Sequence, residues 1–230
     1  MELFKQLPNE SVDLIVTDPP YNIANDFTLT KSGGKVITTK EAWGKWDTFS
    51  KFDYELLMMR VFSECYRVLK KGGSMYMFTA NEDSGYFVKK AEAKGFRYRS
   101  TLAILKKNPQ PSYKKNNWRT AFELCMYLTK GQHKTFNFSS QRERINVFEY
   151  VIGRKYTSHP TEKPSGFIKR VIQASSNKGD VVLDPFMGSG TTAVVAKMLE
   201  RNFIGAEISK EYVDMANRRL KAVEAKMKKS

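Results

Sequence analysis

The chain of 230 residues carries a formal net charge of +15, with 41% hydrophobic and 13% aromatic residues. Length and composition fit a single domain spanning residues 1–230 and exclude a disordered chain, while two cysteines are too few for a disulfide scaffold. No apolar run approaches the roughly 20 residues that cross a bilayer, so we expect a cytoplasmic protein without membrane contact.

Strand and helix patterns alternate along the sequence. An apolar run predicts the first strand at 12–17, where two prolines stop it. Apolar residues at helical spacing follow over 54–69, and Lys70-Lys71-Gly72-Gly73 is expected to close that helix. Further strands are predicted at 75–79, 97–105, 121–128, 181–183 and 203–205, and further helices at 83–93, 164–174, 191–199 and 210–226. This alternation predicts an α/β fold, with a mostly parallel central sheet and helices on both faces.

Three long irregular segments separate these elements. They are predicted at 22–40, 106–119 and 130–158, and loops of this length are often functional lids. Basic side chains concentrate there: residues 97–155 hold 13 Lys and Arg against 3 Glu, and so carry +10 of the net charge. Clustered Lys and Arg favour a polyanion as partner, because they displace counterions from phosphates. A solubilising surface is the alternative that charge alone leaves open.

The tetrapeptide Asp18-Pro19-Pro20-Tyr21 directly follows the first predicted strand. Ligands of open α/β sheets bind beyond the carboxyl ends of strands, so the position suits a site. Two prolines fix the turn and remove two N–H donors, which leaves carbonyls and a carboxylate as acceptors beside an aromatic ring. That set fits a planar group bearing an amino substituent. A strand-end turn with a capping Asp is the alternative.

A glycine loop follows the predicted strand at 181–183 and opens the next helix. The segment Asp184-Pro185-Phe186-Met187-Gly188-Ser189-Gly190-Thr191-Thr192 fits the dinucleotide fingerprint through Gly188, Gly190 and Ala193. Glu207, at the end of the next predicted strand, can accept hydrogen bonds from ribose hydroxyls. An acidic opening residue would repel a pyrophosphate but suits a cationic nucleoside, and S-adenosylmethionine is such a ligand.

The two motifs together resemble the DNA amino-methyltransferases that use S-adenosylmethionine. Their order, with Asp-Pro-Pro-Tyr first and the glycine loop last, resembles the permuted beta class of these enzymes. Further matching segments are Lys107-Asn108-Pro109-Gln110-Pro111, His159-Pro160-Thr161-Glu162-Lys163-Pro164, and Phe203-Ile204-Gly205-Ala206-Glu207 with Tyr212. The resemblance covers nearly the whole chain, and it implies a Rossmann-like methyltransferase fold with circularly permuted motif order.

The resemblance also implies the site residues. The catalytic residues, which would hold the target base, are Asp18, Pro19, Pro20 and Tyr21. The cofactor-binding residues would be Asp18, Thr161, Lys163, Asp184, Phe186, Gly188, Gly190, Thr191 and Glu207. Among these, Glu207 would bind the ribose, and Lys163 with Thr161 the carboxylate of S-adenosylmethionine. No metal is expected, since the two histidines and two cysteines lack metal-ligand spacing.

The implied function is site-specific methylation of the exocyclic N6 of a flipped-out adenine in double-stranded DNA, of the restriction–modification type. Methylation of cytosine carbon 5 is disfavoured, because neither Cys65 nor Cys125 follows a proline. Three alternatives stay open: an N4-cytosine DNA methyltransferase, an RNA or single-strand adenine methyltransferase, and a catalytically inactive nucleic-acid-binding module. A homodimer and a cognate restriction endonuclease are compatible partners.

Two departures from the family pattern are visible. The family usually begins with a strand and a Gly-Asp or similar segment for the cofactor's adenine, whereas the matching sequence here starts almost at Leu7. The target-recognition insertion is also short, at about residues 129–158. Recognition is therefore expected to be relaxed, or to rest on the loops at 22–40 and 106–119.

Overall fold

One sheet organises the molecule. The computed structural model describes residues 2–22, 28–30, 36–38, 49–109, 111, 115–116, 118–152 and 163–227. The strands of the main sheet are β1 (Val12–Thr17), β4 (Leu69–Thr79), β5 (Phe96–Lys106), β6 (Phe122–Lys130), β7 (Val147–Tyr150), β8 (Val181–Asp184) and β9 (Asn202–Gly205), while β2 (Thr28–Thr30) and β3 (Val36–Thr38) pair separately. The helices are α1 (Glu2–Gln6), α2 (Lys51–Val68), α3 (Ser84–Ala93), α4 (Ser165–Ser175), α5 (Thr191–Met198) and α6 (Lys210–Met227). None of these helices is long and apolar enough to span a membrane.

The strand order is β7-β5-β6-β4-β1-β8-β9. Neighbouring strands run parallel, except that β6 is antiparallel to both β4 and β5. The prediction of a mostly parallel sheet is therefore confirmed. The reversed β6 has a consequence for the site, because it begins at the edge where β4 ends: Leu124 pairs with Thr79.

Alternating side chains of the central strands form two cores. In β1, Ile15 packs in the cluster that contains residues of α2 and α3, whereas Leu14 and Val16 pack in the cluster that contains residues of α4 and α5. In β4, Met75 and Tyr76 divide in the same way. Because successive residues of a strand point to opposite faces, an almost continuously apolar strand requires cover on both sides. Helices on both faces, as predicted, provide it.

Several predicted elements and boundaries need correction. The segment Lys70-Lys71-Gly72-Gly73 was expected to close a helix, but α2 ends at Val68 and these residues belong to β4. Gly72 has a φ of 82°, and the β1–β4 register shifts between Val12 and Leu14. The long loop predicted at 22–40 contains the β2–β3 pair, and α1 was not predicted. Short elements of this kind owe their stability to partners rather than to their own pattern.

The predicted target-recognition insertion, residues 129–158, contributes the edge strand β7, which pairs with β5 from Ala103↔Val147 to Lys106↔Tyr150. The chain before β7 is anchored on the end of α4: the backbone N–H of Asn137 donates to the Ala174 carbonyl at 2.6 Å. The Asn137 side chain donates to the Gln173 carbonyl at 2.9 Å. The described part of the segment thus packs on the sheet domain, and its role in recognition stays a prediction.

Candidate active site

Asp18 opens the turn at the carboxyl end of β1. The Tyr21 hydroxyl donates to Asp18 Oδ1 at 2.6 Å, and the Tyr54 hydroxyl from α2 donates to the Pro20 carbonyl at 2.9 Å. Two prolines restrict the backbone between these contacts, since each fixes φ near −65°. The turn therefore brings Asp18 and Tyr21 into contact, and α2 holds it through Tyr54.

Lys163 lies over this turn and is only 11% exposed. Its ammonium Nζ is 3.2 Å from Asp18 Oδ2 and 3.1 Å from the Tyr21 hydroxyl. It also lies 5.1 Å from the centroid of the Tyr21 ring and 4.7 Å from that of the Phe78 ring, within cation–π range. The resemblance implied a cofactor-binding role for Lys163, and the structure places this residue directly beside the predicted catalytic carboxylate.

Glu123 completes the group and was not among the predicted site residues. Its Oε2 is 2.8 Å from Lys163 Nζ, and its Oε1 is 2.6 Å from Lys106 Nζ. Glu123 is the second residue of the reversed strand β6, so strand direction brings it to the edge that carries Asp18. The sequence offers a weak signal for it, as one of three acidic residues in a basic region.

Burial and charge shift the acidities of this group in different directions. Burial raises the pKa of Asp18 above its usual value, although Lys163 and the Tyr21 hydroxyl oppose the rise. Burial alone would raise the pKa of Glu123 as well, but Lys163 and Lys106 outweigh burial and lower this pKa to about 2. Burial alone would lower the pKa of Lys163, yet Asp18, Tyr21 and Glu123 raise it well above its usual value. Lys163 and Glu123 are therefore charged at neutral pH.

Asp184 links the two predicted motifs. It ends β8, and its Oδ1 accepts hydrogen bonds from Thr17 Oγ1 at 2.9 Å and from the Phe186 N–H at 3.1 Å. Thr17 immediately precedes Asp18, so the glycine loop and the Asp-Pro-Pro-Tyr turn lie side by side. Burial raises the pKa of Asp184 to about 7. Asp184 therefore fixes the start of the glycine loop through these two hydrogen bonds. Its predicted role in cofactor binding stays a prediction.

Glu207 is held beside the middle of the glycine loop. Its two carboxylate oxygens accept from the Gly188 N–H at 2.9 Å and from the Ser209 N–H at 2.8 Å. An ionised carboxylate has about four acceptor sites, so capacity remains for ligand hydroxyls. Ile208 follows with its side chain 90% exposed. Sequence reasoning did not single out this apolar neighbour, because one exposed Ile carries no pattern.

The remaining predicted residues of the loop have structural partners. Gly188 and Gly190 have φ values of 52° and 83°, which favour glycine. A Cβ on Gly190 would lie 2.6 Å from the Cβ of Ala216, so this glycine permits α6 to approach α5. Thr191, the first residue of α5, is buried, and its Oγ1 accepts from Arg219 at 3.2 Å. The predicted Thr161, with the rest of 159–162, lies outside the described residues.

Two further observations concern metal ligands and thiols in the described part of the chain. It contains no group of three or more His, Cys, Asp and Glu side chains able to hold a metal ion. Cys65 and Cys125 are fully buried, and burial raises the pKa of both thiols. Because the thiolate is the reactive form, buried thiols of this kind are inert.

Comparisons with known proteins show what this chain is similar to. The family model described as DNA methylase matches residues 12–218. DNA adenine methyltransferase YhdJ of Escherichia coli K12 is 37% identical over 94% of this chain and 78% of its own length. Type II methyltransferase M.HinfI of Haemophilus influenzae is 31% identical over 97% of this chain and 67% of its own length. The crystal structure of the M1.HpyAVI–SAM complex superposes with a TM-score of 0.68 at 26% identity, covering 94% of this chain and 90% of that one. The chain therefore belongs to the DNA methylase family and has the Rossmann-like fold of its S-adenosylmethionine-dependent members.

Proposed function

We propose that this DNA methylase transfers the methyl group of S-adenosylmethionine to the exocyclic N6 of adenine in DNA. One observation carries the proposal: the Asp18 carboxylate, held by Tyr21 at 2.6 Å, lies at the same sheet edge as the glycine loop that starts at Asp184. The proposed amino-group acceptor would thus lie beside the proposed nucleoside site. The relative named DNA adenine methyltransferase YhdJ favours adenine as the base.

The residues of the glycine loop fit S-adenosylmethionine, which supplies an electrophilic methyl group on a sulfonium when bound. We assign the ribose hydroxyls to Glu207, whose orientation two backbone N–H groups fix. The exposed Ile208 would offer an apolar face to the adenine ring of the cofactor. Asp184, Phe186, Gly188, Gly190 and Thr191 would form the rest of this site, with Thr161 and Lys163 towards the carboxylate.

Asp18 would act on the amino group of the target base. The lone pair of that nitrogen is delocalised into the ring, so the nitrogen is a poor nucleophile. Hydrogen bonds from its two protons to Asp18 and to the Pro19 carbonyl would favour a pyramidal nitrogen with a directed lone pair. A carboxylate aimed at the developing positive charge adds electrostatic stabilisation. Asp18 must be ionised to stabilise that charge. Because burial raises the pKa of Asp18, ionisation requires a higher pH than for an ordinary Asp.

The base has to leave the duplex before it reaches Asp18. Unstacking and unpairing cost a few kcal/mol. Stacking of the base on the Tyr21 ring would offset about 1–3 kcal/mol of that cost. The net charge of +15 supports binding to the phosphate backbone. We therefore propose double-stranded DNA as the substrate, with a homodimer and a cognate restriction endonuclease as further predictions.

The test is a methyl-transfer assay with labelled S-adenosylmethionine on unmethylated duplex and single-stranded DNA, followed by resolution of the product nucleosides. We expect N6-methyladenine from duplex DNA. N4-methylcytosine would keep the chemistry and overturn the choice of base, and transfer to single strands or RNA alone would overturn the duplex. No transfer, together with no cofactor binding by calorimetry, would favour an inactive nucleic-acid-binding module.

A further inference from the structure

One carboxylate of the site, Glu123, has no role in the proposed function. We propose that Glu123 is a positioning residue, which shares the Lys163 ammonium with Asp18 and so keeps the Asp18 carboxylate available to the amino group of the target base. This inference rests on the proposed function. Glu123 itself acts through Lys163 and need not touch the substrate.

The distances indicate how the ammonium is shared. Lys163 Nζ is 2.8 Å from Glu123 Oε2 but 3.2 Å from Asp18 Oδ2. The shorter contact is therefore with the carboxylate that is not expected to bind the base. The other oxygen of Asp18 accepts from the Tyr21 hydroxyl. Asp18 is oriented by two contacts, and only the longer one is an ion pair.

Glu123 is well suited to hold a charge in place. It lies in the regular pairing of β5 with β6, where it pairs with Ile104, so a sheet rather than a loop fixes its backbone. Its side chain is 23% exposed, and Lys106 neutralises its second oxygen at 2.6 Å. A pKa of about 2 leaves it ionised throughout any practical assay range.

Loss of the Glu123 charge would change the environment of Asp18. Lys163 is 11% exposed, and among the described residues its remaining close polar partners would be Asp18 and the Tyr21 hydroxyl. A buried ammonium needs a counter-charge, so in the protein without cofactor it would pair more closely with Asp18. That pairing would draw Asp18 Oδ2 towards the ammonium and neutralise more of the negative charge that the amino group of the base requires.

The acidity of Asp18 reports this redistribution. The ionisable groups that face Asp18 are Tyr21, Lys163, Glu123, the neighbouring Asp184 and the buried thiol of Cys125. Removal of the Glu123 charge removes a repulsion and brings Lys163 nearer, and both changes lower the pKa of Asp18. Loss of Lys106 acts in the opposite direction, because Glu123 would then draw Lys163 away from Asp18 and raise that pKa.

The experiment compares Glu123→Gln and Lys106→Met with the wild-type chain. We expect Glu123→Gln to lower kcat by about 100-fold, the size of effect that a small misplacement in a site can cause. The acidic limb of its kcat–pH profile should move to lower pH, while the KM for DNA changes little. In Lys106→Met, the acidic limb should move to higher pH. NMR titration of isotope-labelled aspartate in the free protein, with the Asp18 signal assigned through Asp18→Asn, should show the same two opposite shifts.

Glu64→Gln is the matched control. Glu64 is 32% exposed and pairs with Arg67 at 2.7 Å, but it lies on α2 towards the other end of β1. This variant should keep wild-type kcat and the wild-type acidic limb.

If Glu123→Gln keeps both as well, or if the two test variants shift the Asp18 titration in the same direction, the inference is overturned. Failure of the proposed function looks different, since the wild-type chain itself would then form no N6-methyladenine. If Glu123→Gln does not fold, Lys106→Met and the NMR titration still decide.

Discussion

At the scale of single residues, the site is a group of charges that constrain one another. Asp18 is 26% exposed and lies between an ammonium and a phenol hydroxyl. Burial disfavours its charged form, whereas both neighbours favour it. The proposed chemistry needs the charged form, because a protonated carboxyl group would lose acceptor capacity. Activity should therefore fall as pH drops through a pKa that is higher than usual for Asp.

Replacement of Asp18 by Ala tests the central assignment. We expect Asp18→Ala to lose about 100–1000-fold in kcat, by analogy with removal of one preorganised electrostatic contact. DNA affinity should be retained, since the substitution removes no basic group. Methyl transfer and fluorescence anisotropy with labelled duplex DNA measure the two properties. Turnover close to wild type would contradict a catalytic role for Asp18.

Asp184 predicts a stability that depends on pH. Its pKa is about 7 in the fold against a usual 3.8, so the folded state binds the proton more tightly than the unfolded state. Its contribution to the free energy of unfolding is therefore largest below about pH 4 and is lost as pH rises to about 7. Asp184→Asn keeps an oxygen for Thr17 and Phe186 without the charge. It should melt higher than wild type at pH 8, by about 2–4 °C per kcal/mol relieved, with a smaller difference at pH 5.

Thermal unfolding followed by circular dichroism at both pH values provides this measurement. Asp214→Asn, on an exposed position of α6, is the control and should show no such dependence. An equal change in the melting temperature of Asp184→Asn at pH 5 and pH 8 would contradict a buried, titrating Asp184.

At the scale of elements, close helix packing supports the glycine loop. Gly190 precedes α5 with a φ of 83°, and its α-carbon faces Ala216 of α6. Arg219, one turn further along α6, donates to the Ser189 carbonyl at 2.8 Å. The loop predicted to bind the cofactor is thus shaped by a helix about 30 residues further along the chain.

Gly190→Ala and Gly179→Ala separate backbone strain from steric clash. Both glycines have a φ of 83°, but a Cβ on Gly179 would meet no atom within 4 Å, whereas one on Gly190 would lie 2.6 Å from Ala216. Each substitution should cost about 1–2 kcal/mol for the left-handed backbone. Gly190→Ala should cost a further 1–3 kcal/mol or so for overpacking. Urea denaturation gives both free energies of unfolding, and equal values would argue against the close approach of α5 and α6.

At the scale of the whole molecule, net charge should govern DNA affinity. A chain with a net charge of +15 is expected to contact many phosphates, and binding then releases counterions. For 6–10 phosphate contacts, affinity falls by about 10³–10⁵ between 50 and 200 mM salt. Titration of labelled duplex DNA at several salt concentrations measures the slope, with S-adenosylmethionine binding as the control that should change far less. A salt-independent DNA affinity would indicate that the basic residues serve only as a solubilising surface.

Much of the fold was predictable because hydrophobic periodicity is local. The strand at 12–17 and the helices α3, α5 and α6 lie within one or two residues of their predicted bounds. The edge strand β7 was missed, since four residues acquire strand structure only through pairing with β5. The start of β4 was mistaken for a helix end, because Gly72 and Gly73 read as a stop signal and only pairing with β1 makes them a strand.

By itself, the sequence determined the α/β class, the family and the two motifs of the proposed site. These depend on residue types at short spacing, which elementary stereochemistry translates into turns at the ends of strands. Only the tertiary structure decided which charges meet. Glu123 and Lys163 are 40 residues apart in sequence, and Asp18 is 145 residues from Lys163. Both carboxylates nevertheless lie within 3.2 Å of Lys163 Nζ. Glu123 reaches this site because strand β6 is reversed, so that its first residues lie at the carboxyl edge of the sheet. Strand direction is a property of the assembled sheet, and no single segment of the sequence specifies it.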